Sequence, residues 1–66
     1  MRNESIEKKL ISSYFKVGTV YYESMRYNEA IEYFNRAMYL AKEQKDKNSE
    51  SIAKANVEEI ERKLNQ

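Results

Sequence analysis

The chain has 66 residues, enough for one small domain that buries only about 60% of the surface its unfolded form exposes, and too few for a large enzyme core. It contains no cysteine and no histidine, so disulfides, thiolate chemistry and the commonest acid–base catalyst and metal ligand are all missing. Its net charge of +1 gives no general attraction to nucleic acid or to an anionic membrane, and 41% hydrophobic and 35% charged residues, with one glycine and no proline, describe a helical domain with a charged surface.

Residues 1–9 are mostly polar and charged and hold no apolar core of a secretory signal. Lys16, Glu23, Arg26, Glu29, Glu32 and Arg36 interrupt every apolar run short of the ~18 residues of a membrane span. A cytoplasmic chain with no membrane contact is the expectation.

The spacing predicts a first helix over about residues 4–25, with Asn3 as N-cap and Glu4 and Glu7 in its favourable first turn. Leu10, Tyr14, Val17, Tyr21 and Met25 follow one helix face, and Ile11, Phe15, Gly18 and Tyr22 make a second stripe beside it. A helix that is apolar over so wide an arc needs two neighbours to cover it. Gly18 costs ~1 kcal/mol of helix propensity against alanine, which points to a close helix–helix approach at that position.

The segment Met25-Arg26-Tyr27-Asn28 is expected to break the helix, with Tyr27 wedged in the turn and Asn28 capping a second helix over about residues 29–44. Ala30, Phe34, Ala37 and Ala41 form its stripe, flanked by Ile31 and Met38 on one side and by Tyr33 and Leu40 on the other. The small residues predict that the backbones come near each other around Gly18, Ala30 and Ala37. Lys45-Asp46-Lys47-Asn48 reads as a solvated loop, after which Ser49 is expected to cap a third helix over about residues 49–64. Ala53, Val57, Ile60 and Leu64 share its one apolar face. The pairs Glu50–Lys54, Glu58–Arg62 and Glu59–Lys63 place acid before base four residues apart on its wet faces, the pattern of a terminal lid.

Tyr14, Val17, Gly18, Tyr21, Ala30, Phe34 and Ala37 stand in register with the W-x2-L-G-x2-Y…A-x3-F pattern, so the first two helices resemble a tetratricopeptide repeat. The match covers roughly residues 11–42. It departs from the pattern in Tyr14 for tryptophan, Val17 for leucine, Met25 where glycine is usual, and no closing proline. The resemblance implies an all-α fold, an antiparallel helical hairpin with a third, capping helix. It also implies a protein-interaction or scaffold module whose partner is a protein or peptide, with no cofactor. Ligands in that family lie along the face of the first helices, which here carries Ser12, Phe15, Thr19, Tyr22 and Glu23. The Lys/Asn arrangement with which some members clamp a peptide carboxylate is not reproduced, since Phe15 and Thr19 stand at two of its places.

A second resemblance is to MIT domains, three-helix modules that bind helical peptide motifs and share a Y-x-x-A-x-x-x-[YF] start to helix two. The third helix, with Ser51-Ile52, Glu58 and Arg62, is also similar to theirs. Three fates stay open for the Phe15/Tyr22 face: a bound peptide or helix, a second copy in a homodimer, or cover by the third helix. Among the tyrosines, Tyr22, Tyr33 and Tyr39 are candidates for a recognition surface, Tyr39 being the most exposed. Glu58, Glu59 and Glu61 have basic residues a turn away and no histidine, so no metal site is expected there. Lys42, Lys45 and Lys47 alternate with Glu43 and Asp46 and read as solvated. No nucleophile beside a base, no glycine-rich phosphate loop and no paired acids in a pocket are visible, so catalysis is not expected.

Overall fold

The computed structural model describes residues 4–66; the expected cap at Asn3 lies outside them. The described chain is three helices: α1 (Glu4–Glu23), α2 (Tyr27–Glu43) and α3 (Lys47–Leu64). An all-α antiparallel arrangement follows, with no strand among the described residues.

The helix ends depart from the expected ones for a definite reason. After α1 the chain swings left-handed at Met25, with φ of 63°. The Arg26 amide donates to the Tyr21 carbonyl at 2.9 Å and the Met25 amide to the Tyr22 carbonyl at 3.0 Å. This paired pattern closes a helix by satisfying its last carbonyls. It ends α1 at Glu23 and starts α2 at Tyr27, so Asn28 falls inside the first turn of α2 and does not cap it. Arg26 takes the cap position without a capping hydrogen bond; its Nε donates instead to Glu29 Oε2 at 2.9 Å.

The second turn repeats the first. Lys45 has φ of 59°, the Asp46 amide donates to the Ala41 carbonyl at 2.8 Å, and the Lys45 amide donates to Lys42 at 3.1 Å. Here the cap is Asp46, whose Oδ1 accepts from the Ser49 amide at 3.1 Å while the Ser49 hydroxyl donates to Oδ2 at 2.8 Å. Ser49 is therefore the residue served by the cap, and Lys47 and Asn48 belong to α3 rather than to a loop.

Both α1 and α3 pack on α2 and scarcely on each other, giving a flat body of 44 × 19 × 13 Å. The α2 stripe of Ala30, Phe34, Ala37 and Ala41 is buried, as its spacing predicts. Ile11 and Ala53 meet Ala37 and Ala41 in one cluster, and Ile60 meets Ala30 and Phe34 in the other. Gly18 is buried against the Phe34 ring, where a β-carbon would lie 3.0 Å from Cε1 and Cζ, so the space at Gly18 takes an aromatic side chain of α2 where an approach of backbones was expected.

One expectation is reversed. Helix α1 has one packed neighbour, not two, so Ile6, Leu10 and Val20 are exposed and Val17 is 38% exposed. Leu64, expected on the packed face of α3, is also exposed.

Candidate functional site

The spacing that puts Ser12, Phe15, Thr19 and Tyr22 on one strip of α1 turns that strip toward α3, across the floor formed by α2. Where the N-terminal halves of α1 and α3 face each other, Lys8, Ile11, Ser12 and Phe15 look across at Asp46, Ser49 and Ile52 over a hollow of about 400 Å³. Further along, Thr19 and Tyr22 face Asn56 and Glu59 over a smaller hollow of about 140 Å³ floored by Phe34 and Ile60. Four of the five ligand-face residues thus line one groove. Glu23, the fifth, is exposed and lines neither hollow.

The aromatic pair is only partly free. Phe15 is half-buried, packs against both core clusters and stands 6.0 Å from the Phe34 ring. Tyr22 is half-buried, with its ring 5.7 Å from that of Tyr27, which wedges the first turn as expected. Lys63 lies over Tyr22, its Nζ 5.8 Å from the ring centroid. Hydrogen bonding to Tyr22 raises the Lys63 pKa above the usual lysine range, with Glu59 adding a smaller attraction. Hydrogen bonds from the Ser49 side chain and amide hold Asp46 below the usual aspartate range, and Lys8 contributes from across the groove.

The remaining pattern residues serve packing, except Val17, which is exposed. Ala30, Phe34 and Ala37 are buried. Tyr21 stacks on Tyr33 at 5.6 Å and Tyr14 stands 6.2 Å from the same ring, with Arg26 and Arg36 over Tyr21 and Tyr33 at 5.0 and 4.8 Å. Tyr33, a candidate for recognition, is held in that cluster. Tyr39 is 73% exposed, in keeping with its place opposite the buried stripe.

Sequence reasoning missed the second wall. Ser49, Ile52, Asn56 and Glu59 repeat the 3-4-3 spacing of Ser12, Phe15, Thr19 and Tyr22, but α3 reads as a one-faced lid until its crossing of α2 is known. The legible signal was Ile52, an apolar residue off the Ala53/Val57/Ile60 face, which is 49% exposed at the groove.

Chemically, the groove offers apolar surface, a few hydroxyl and amide groups, and charges of both signs. Among the described residues, no group of three or more acidic side chains could hold a metal ion, no buried side-chain polar atom lacks a partner, and no helix is long and apolar enough to cross a membrane. Comparison of the chain with family models, curated proteins and solved structures returned no match.

Proposed function

We propose that the chain is a cytoplasmic protein-interaction module of tetratricopeptide type, which receives a peptide or helix of another protein in the groove between α1 and α3 and acts by binding alone. One observation carries the reading: Ser12, Phe15, Thr19 and Tyr22, singled out from the repeat pattern, line a common groove with an apolar floor. Concave, mostly apolar clefts with a few polar groups are where ligands are held.

The groove is best tested from its rim, because truncating Phe15 removes core packing together with binding surface. Random peptides of about 16 residues, displayed and selected on the immobilised chain, should yield binders whose capture is lost in Thr19→Arg, an exposed substitution that leaves the core untouched. Binders that hold Thr19→Arg as tightly as the parent chain exclude the groove.

Self-association is a second reading, favoured by the exposed Leu10, Val17 and Val20 on the outer side of α1. Light scattering over a wide concentration range tests it. A dimer that becomes monomeric with Val17→Lys supports this reading, and a monomer throughout dismisses it.

A further inference from the structure

The groove has a period. Its α1 wall repeats after seven residues, from Ser12 and Phe15 to Thr19 and Tyr22, and its α3 wall does the same from Ser49 and Ile52 to Asn56 and Glu59. Seven residues are about 10.5 Å of helix, so the α1 and α3 residues lining the second hollow lie about that far along from those lining the first, and each hollow has an aromatic ring in its lining. From Lys8 to Tyr22 the α1 wall runs about 21 Å, the length of a helix of about 14 residues.

The charges in the groove answer one another. Lys8 and Asp46 face each other across the first hollow, and Glu59 at the second stands one turn before Lys63, which covers Tyr22. An occupant with a strong charge of either sign would find as much repulsion as attraction. An occupant in extended conformation would bring its own amides and carbonyls over an apolar floor, where Ser12, Thr19, Ser49 and Asn56 are too few and too spaced to pair them all. A helix pairs its backbone internally.

We infer that the occupant is one amphipathic helix of a partner protein that seats two large uncharged apolar side chains seven residues apart, one in each hollow. This rests on the groove being the binding site. A helix laid there parallels α1 and α3, covers Phe15 and Ile52 at one end and Thr19 and Tyr22 at the other, and closes the flat three-helix body into a four-helix one.

The same displayed library of random peptides of about 16 residues tests this, with selected peptides resynthesised and titrated into the parent chain and into Thr19→Gln and Ile52→Gln. Both sites are exposed, so circular dichroism should show the parent helicity. The expected binders carry two large apolar residues seven apart with no proline between them, and gain helicity on binding. They lose at least about tenfold in affinity when either anchor is changed to Gln. Between about 0.05 and 0.5 M salt their affinity should change less than about twofold.

Binders that are acidic or basic and are released by salt, or that hold proline between their anchors, overturn this inference. If those same binders are weakened by Thr19→Gln, the groove reading survives. Absence of enrichment, or binders indifferent to both Gln variants, overturns both.

Discussion

Ser24-Met25-Arg26 and Gln44-Lys45-Asp46 carry the chain through the same left-handed turn, with the same two backbone hydrogen bonds, yet they share no residue. Neither has the glycine that this conformation favours. The turn is thus set by what the ends of the helices need, carbonyls satisfied and the next helix brought back onto α2, and not by a side-chain signal. Side chains set how firmly each turn is held. Asp46 gives α3 an acceptor for its first amides, whereas Arg26 gives α2 none and instead pairs with Glu29 and lies over Tyr21.

The two hairpins differ in the same way. Helix α1 meets α2 through Gly18 on the Phe34 ring and a cluster of tyrosines, while α3 inserts Ala53 and Ile60 beside the α2 stripe. Phe34 lies under both, so Phe34→Ala should have the largest effect, costing about 3–5 kcal/mol. That is comparable with the whole stability expected of a chain this size, and a thermal melt followed by circular dichroism should lose its cooperative transition. A cooperative melt within a few degrees of the parent's would show that the two hairpins do not share a core.

Gly18→Ala tests the interface between α1 and α2. The added methyl gains ~1 kcal/mol in helix propensity but presses on a buried ring at 3.0 Å, and overpacking costs about 1–3 kcal/mol. A net loss is expected in urea unfolding, where stabilisation would mean that the Phe34 ring shifts freely.

Met25→Gly and Lys45→Gly relieve the left-handed strain at two exposed sites, and each should raise stability by up to ~1 kcal/mol. Equal shifts in urea midpoint would make the turns equivalent in energy as well as in shape; a clear difference would break the comparison. Smaller effects should separate the caps. Asp46→Ala is expected to lower the melting temperature, and Arg26→Ala to change it less, since only the first removes an acceptor from a helix N-terminus.

The smallest effect is one of pH. Asp46 has a pKa below its unfolded value of about 3.9, so its contribution is complete above that value and is lost as pH falls through the lowered folded pKa. In acid the amides of the first turn of α3 should therefore lose part of their protection against exchange with solvent.

Much of this was written in the local pattern. The 3.6-residue spacing located three helices within about two residues at each inner end. The α2 stripe was legible because Ala30, Phe34, Ala37 and Ala41 repeat on one face, and the strip from Ser12 to Tyr22 because it lies beside Tyr14, Val17, Gly18 and Tyr21, whose resemblance to a repeat pattern implied a ligand face there. Asn28 and Ser49 misled because a good capping residue caps only where the backbone leaves the helical conformation, and that point was fixed by hydrogen bonds to Tyr21 and Ala41 one turn back.

The sequence by itself determined the three helices and the buried stripe of α2, since these depend on residues adjacent in the chain or one turn apart, whereas the need for a hydrogen at Gly18 comes from the Phe34 ring of the neighbouring helix. Only the tertiary structure decided that α1 keeps one packed neighbour and that Ser49, Ile52, Asn56 and Glu59 rise opposite the α1 strip. Both depend on how α1 and α3 sit on α2. No spacing within a single helix encodes that.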